Sequence, residues 1–273
     1  MPPVDKPLPA QIAALFTLKD KVAILTDIGG TGSKEIAQLL ADAGAHVVIA
    51  DRDLAPAKAM AAEIVAAGGK AVAVEADIES EPSVIALFRD VAEAAGRLDI
   101  LVNCAGMTGR RPLSDTSLEQ WDALHSVNLR ATFLCMREAV KQMQAGGRGG
   151  RIINVTTIGA LHPVRRGNAA YAASRLGVTA LGRDTALDYL HEGILVNTVY
   201  AGAVVDKVPE HPLMPPKTEV APGPHDPALM PGRMPLGVCY MVDVAAAVLY
   251  LASPAGRYMT GQHVVLDGGF LLT

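Results

Sequence analysis

Apolar residues recur in seven short runs: Val22–Leu25, Val47–Ala50, Ala71–Val74, Ile100–Asn103, Ile152–Val155, Leu195–Val199 and His263–Leu266. Each is rich in β-branched residues and apolar at successive positions, as a parallel strand covered on both faces must be. Helical spacing fills the intervals. Ile36, Leu39, Leu40 and Ala43 recur at i, i+3, i+4 and i+7, and Val84, Phe88 and Val91 follow the same rule. A later helix carries Leu181, Ala186 and Leu187 on its inward face. Strand–helix alternation predicts an α/β fold, a doubly wound parallel sheet of about seven strands with helices on both faces. Residues 1–17 read as an N-terminal extension and 18–273 as one domain. The proline-rich stretch 206–235, which includes His211, Met214 and His225, interrupts the alternation. So long an irregular segment is either a lid over a binding site or a solvated insertion.

Composition narrows the setting. Half of the 273 residues are hydrophobic, enough for a large core, and the net charge is −4 with no dense basic run. Nucleic acid and an anionic membrane are therefore not expected partners, and a small-molecule substrate is. Cys104, Cys135 and Cys239 are odd in number, far apart and without metal-ligand spacing, so a cytoplasmic protein with reduced thiols and no zinc site is expected. No apolar run has transmembrane length, and the N-terminus lacks an export pattern.

The candidate chemistry lies at the ends of the apolar runs. Asp99-Ile-Leu-Val-Asn-Cys-Ala-Gly106 is followed by Ser126-Val-Asn-Leu129, then Arg151-Ile-Ile-Asn-Val-Thr-Thr157 and Tyr171-Ala-Ala-Ser-Arg175. Ala201-Gly202 comes next, and Gly261-Gln-His-Val-Val-Leu-Asp-Gly-Gly269 closes the chain. In this order the segments resemble the NNAG, helix-asparagine, catalytic-serine, YxxxK and PG motifs of the short-chain dehydrogenase/reductase (SDR) family. The resemblance runs from about Leu18 to the C-terminus. It implies a Rossmann fold, a nicotinamide cofactor, hydride transfer to or from a secondary alcohol or ketone, and a homodimer or homotetramer.

Carried over residue by residue, the resemblance makes Tyr171 the proton donor or acceptor, Arg175 its cation, Thr157 the hydroxyl in the serine place and Asn128 the helix asparagine. A free phenol titrates near 10, and the family keeps a lysine one helical turn on to favour tyrosinate. Arg175 retains the positive field but is a wider fork that does not give up its proton, so a relay through Asn128 is not expected. Thr157 stands fourteen residues before Tyr171, one more than the family pattern, which leaves Thr156 as the alternative. His162 lies in the intervening loop, facing either substrate or solvent.

Around the cofactor, the family's TGxxxGxG turn reads Thr26-Asp27-Ile28-Gly29-Gly30-Thr31-Gly32-Ser33. Asp27, Thr31 and Ser33 replace the three signature glycines, whereas Gly29, Gly30 and Gly32 keep the loop glycine-rich. Glycine lets backbone N–H groups approach a pyrophosphate at a helix N-terminus. Each non-glycine residue held left-handed costs roughly 1–2 kcal/mol, and two such penalties weaken a cofactor about a hundredfold. Asp51 ends the second strand and favours NAD by accepting from the adenosine ribose hydroxyls; Arg52 beside it leaves room for NADP. Asp77 and Ile78 fall in the adenine-contacting place, Asn103, Ala105 and Gly106 in the NNAG motif, and Gly202 and Val204 in the PG segment, which ends in Asp206 rather than threonine.

Two readings follow: an NAD-dependent oxidoreductase with adapted motifs, or a non-catalytic relative, a structural, regulatory or ligand-binding protein with impaired cofactor binding.

Overall fold

The computed structural model describes residues 9–26, 33–205 and 233–273. Strands β1 (Val22–Thr26), β2 (His46–Asp51), β3 (Lys70–Glu75), β4 (Ile100–Asn103), β5 (Gly150–Thr157), β6 (Ile194–Ala201) and β9 (His263–Leu266) form one parallel sheet in the order β3-β2-β1-β4-β5-β6-β9. All seven expected runs are strands of this sheet. A two-residue pair, β7 (Val204–Val205) and β8 (Cys239–Tyr240), sits beside it.

Period-two side-chain alternation feeds two separate cores. Ala23 and Leu25 of β1, Val47 and Ile49 of β2, and Ile100 and Val102 of β4 face one side, against helices α2 (Ser33–Asp42), α3 (Leu54–Ala66) and α8 (Met241–Ala252). Ile24, Val48, Leu101 and Ile152 face the other, against α4 (Glu81–Ala95), α6 (Ala131–Gly146) and the end of α7 (Ala169–Tyr189). The remaining helices are α1 (Ala10–Phe16), which buries nothing, and α5 (Leu118–His125).

The helical spacing placed Ile36, Leu40, Val84, Phe88 and Val91 correctly in the cores. Leu187 departs from expectation and is 70% exposed. Successive helical residues point about 100° apart, and it is Ala186 that turns toward the sheet. Burial pushes the Cys135 and Cys239 thiols up to about 12, so both behave as packing residues rather than nucleophiles. Among the described residues no helix is long and apolar enough to cross a membrane, and no three His, Cys, Asp or Glu side chains converge as a metal site.

At the N-terminal end of the sheet one carboxylate joins two segments, Lys21–Val22 and Arg97–Asp99. Asp99 accepts from the Val22 N–H at 2.9 Å, from Arg97 Nε at 2.7 Å and from Lys21 Nζ at 3.3 Å. Burial alone would raise its pKa, but the Arg97 and Val22 hydrogen bonds and the two cations outweigh that and hold it below the usual carboxylate value. Asp99→Asn is therefore expected to cost about 1–3 kcal/mol at pH 7. A carboxyl whose folded pKa is depressed stabilises fully above its unfolded pKa, near 3.9, and loses that contribution as pH falls through the folded value. Urea denaturation at pH 7 and pH 3 checks this: the gap between wild type and variant should narrow at pH 3. A constant gap would assign the loss to packing.

Candidate functional site

The carboxyl ends of β1 to β6 share one edge of the sheet, and strand order reverses between β1 and β4, the place where open α/β sheets leave a crevice. The glycine-rich turn follows β1 in the sequence. Of its residues, Asp27, Gly29, Gly30, Thr31 and Gly32 lie outside the described residues, and Ser33 is buried as the first residue of α2.

Asp51, the last residue of β2, is buried, and its carboxylate accepts from the Asp53 N–H at 2.7 Å. It lines a cavity of about 190 Å³ together with Arg52, Ala76, Asp77, Ile78, Glu79 and Val127. Arg52 reaches across the rim and donates to Asp77 and to Glu79, each at 2.7 Å. This fork holds the Asp77 carboxyl below its usual range, chiefly through the Arg52 hydrogen bond. Glu79 also accepts from Ser126 Oγ at 2.7 Å, which in turn accepts from Arg130 at 2.6 Å. The structure brings Asp51, Arg52, Asp77 and Ile78 together around this cavity. Glu79 and Ser126 were not legible in the sequence, because their only signal is proximity across two loops.

Asn103 is placed differently from a ligand-facing residue. Its amide donates to Asn154 Oδ1 at 2.8 Å and its carbonyl accepts from Thr26 at 3.5 Å, so the side chain ties β1, β4 and β5 together inside the sheet. Ala105 is buried behind it. Gly106 follows, and its missing side chain is where Arg175 lies: a Cβ there would stand 1.7 Å from Nη2 and 2.9 Å from Cζ of that guanidinium.

Tyr171 and Arg175 sit one turn apart on α7, and the guanidinium carbon is 5.6 Å from the centre of the tyrosine ring. Arg175 is only 6% exposed, and its Nε has no hydrogen-bond partner. A buried charge-bearing donor left unpaired is costly, and such orphans concentrate where a ligand completes the bonding.

Asn128 lies in a π-helical turn, Ser126–Arg130, a distortion frequent at functional sites. Its carbonyl oxygen accepts from the Met107 N–H at 2.8 Å, and its amide donates to the Met107 carbonyl at 3.0 Å and to Ser174 Oγ at 2.9 Å. Ser174 donates to the Tyr171 carbonyl at 2.7 Å. The Asn128 backbone carbonyl accepts from Thr132 at 3.0 Å. The side chain is thus a clamp between the loop after β4 and the helix bearing Tyr171.

Thr157 ends β5, and its hydroxyl accepts from the Gly159 N–H at 3.1 Å, beside the turn that leads to α7. Thr156 is 5% exposed and points into the fold, its hydroxyl unpaired. Gly202 brings β6 against β9: its N–H donates to the Leu266 carbonyl at 2.8 Å, and a Cβ would sit 3.0 Å from that oxygen. Val204 lies in β7, paired with Cys239. Of the candidate lid 206–235, residues 206–232 lie outside the described residues; Met234 packs against the Phe270 cluster.

Two clefts of about 390 and 400 Å³ flank the start of α7. One is lined by Gly159, His162, Arg165, Asn168 and Ala172, the other by Met107, Arg110, Arg111, Gln120 and Ala170. His162 is exposed, and its ring meets Phe270 edge-on at 5.5 Å.

A family model described as enoyl-(acyl carrier protein) reductase matches residues 32–271. The short-chain dehydrogenase/reductase eriH of Hericium erinaceus is 34% identical over 261 residues, covering 92% of this chain and 97% of that protein. A D-threitol dehydrogenase of Mycolicibacterium smegmatis is 31% identical, with 94% and 95% covered. Among solved structures, a dehydrogenase/reductase from Sinorhizobium meliloti superimposes with a TM-score of 0.83 at 32% identity over 95% of this chain and 98% of that one.

The Gly106 cradle gives a direct test of the Arg175 position. Gly106→Ala obliges only the far end of a flexible side chain to move, so stability should change by no more than about 1 kcal/mol. A crystal structure of the variant should show the guanidinium displaced. A loss above about 3 kcal/mol would place the conflict in the backbone instead.

Proposed function

The chain belongs to the short-chain dehydrogenase/reductase family of oxidoreductases, and on that premise we propose that it transfers a hydride between NAD and a secondary alcohol or ketone. The observation that carries the proposal is the pair Tyr171–Arg175, an acid/base side chain beside a buried cation whose Nε lacks a partner.

The residues present fit a nicotinamide coenzyme at both ends of the crevice. At one end the Asp51 carboxylate lines an open cavity beside Ile78, suited to ribose hydroxyls and an adenine face. At the other, the orphaned Arg175 Nε needs an acceptor, and a ribose hydroxyl supplies one. The coenzyme, when bound, supplies or takes the hydride. Tyr171 gives a proton to the carbonyl oxygen in reduction and takes it back in oxidation. The Thr157 hydroxyl holds that same oxygen. Arg175 stabilises the anionic form of Tyr171 through its charge and does not release a proton itself. Asn128, through Ser174 and Met107, fixes the helix and loop between which the substrate lies.

NAD is favoured over NADP by occupancy as well as by charge. A 2′-phosphate would meet Asp51, and Arg52, the cation lining that cavity among the described residues, is already shared between Asp77 and Glu79. The protein is further read as a homo-oligomer, because Leu118, Trp121 and Phe133 on α5 and α6 and Leu176 on α7 remain exposed; sedimentation at micromolar concentration tests that.

Three measurements decide the reading. NADH should bind more tightly than NADPH in fluorescence titration. Failure of both to bind would favour the non-catalytic alternative, with the substitutions at Asp27, Thr31 and Ser33 as the cause. Tyr171→Phe should lower turnover of a reducible ketone on the order of 10²–10⁴-fold with the fold retained, and undiminished turnover would refute the mechanism. Asp77→Asn with Glu79→Gln should release Arg52 and narrow the NADH-over-NADPH preference about tenfold or more, the scale of one charge-assisted contact; an unchanged ratio would show that Arg52 plays no part.

A further inference from the structure

The loops that follow β4 and β5 are joined where they overhang the start of α7. Arg111 N–H donates to the Gly167 carbonyl at 2.9 Å. Gly167 has φ +72°, and a Cβ there would stand 3.1 Å from backbone atoms of Arg111. The contact is backbone against backbone, and it holds the two loops side by side.

That seam carries four arginines, of which Arg110 and Arg111 line one cleft and Arg165 lines the other. Arg110 and Arg111 come from residues 104–117, and Arg165 and Arg166 from 158–168. The same two segments contain one acid, Asp115, whose carboxylate accepts from the neighbouring Ser114 hydroxyl. By sequence these two segments hold four arginines and one acid on a chain whose net charge is −4. Three other arginines of the fold are held by carboxylates: Arg52 by Asp77 and Glu79, Arg97 by Asp99, Arg137 by Glu81 and Glu138. Arg111, Arg165 and Arg166 are exposed and have no carboxylate partner among the described residues. Arg111 lines the cleft that also touches Ala170, and Arg165 lines the one that touches Ala172, the residues on either side of Tyr171.

Resting on the oxidoreductase reading, we infer that the substrate carries an oxyanion, a carboxylate or a phosphate, held by Arg111 and Arg165 while its carbinol or carbonyl group meets Tyr171. A guanidinium fork matches either anion with two parallel hydrogen bonds. A cleft lined by one sign of charge concentrates an anion against the opposing net charge of the chain. The guanidiniums border two concave clefts of about 390 and 400 Å³ rather than a flat face, which suits a small molecule and not a macromolecular anion.

The test uses the full-length protein saturated with NADH and matched pairs of probes. These are 2-, 3- and 4-oxo carboxylates against their methyl esters, and keto phosphates against the corresponding free alcohols. In calorimetric titration at least one anion should bind on the order of tenfold or more tightly than its neutral partner. The advantage should fall as salt is added and should vanish in the double variant Arg111→Gln/Arg165→Gln. NADH affinity and thermal midpoint should be unchanged in that variant, which separates loss of the anion contact from loss of the fold. Equal binding within every pair, an advantage that survives the double variant, or no binding by any anion would each overturn the inference. If NADH does not bind, the hydride-transfer reading falls, and the same titrations on the protein alone still decide whether the rim holds an anion. A preference for carboxylates over phosphates, or the reverse, identifies which oxyanion it takes.

Discussion

A parallel sheet covered on both faces leaves polar side chains almost nowhere to go, and the rest of this molecule follows from that. Asn103, inside the sheet, is bonded to Asn154, and Asp99, just before β4, to Val22, Arg97 and Lys21; the Thr156 hydroxyl in β5 is buried without a partner. Several candidate site residues lie at the carboxyl ends of the strands. Asp51, Gly106 and Thr157 all lie there because each follows or ends an apolar run. The site is thus not built on top of the fold. It is the residue left over when the two cores are filled.

That logic explains what could be read in the sequence. The seven strands were legible because burial on both sides writes an unbroken apolar run. Tyr171 and Arg175 were legible as neighbours because i and i+4 share a helix face. Direction was harder. Nothing in the run Ile100–Asn103 says that the Asn103 side chain turns across the sheet rather than toward a ligand; that depends on a partner 51 residues away. Leu187 and Ala186 differ by one position, and of the two only Ala186 turns toward the sheet. Contacts between loops were illegible for the same reason. The Arg52–Glu79 bond spans 27 residues and the Ser126–Glu79 bond 47, with no periodicity to announce either. In the fold Arg52 donates to both Asp77 and Glu79, partners that its place beside Asp51 in the sequence does not announce.

The replacement of the family's lysine by Arg175 also has a partner that inspection of the motif alone does not reveal. The larger head group needs space, and Gly106 provides it. The two positions are one packing unit, so any account of how this family member departs from its relatives has to treat them jointly. The Nε of that guanidinium is buried without a hydrogen-bond partner.

Met107 has both its backbone groups held by a single amide, that of Asn128, which also grips Ser174 beneath Tyr171. A segment pinned in this way cannot act as a hinge. Any widening of the mouth must begin beyond it, at Thr108 and Gly109, where the chain leaves the clamp. Movement of the chain beyond Thr108 would leave the Asn128–Ser174 bond beneath Tyr171 in place.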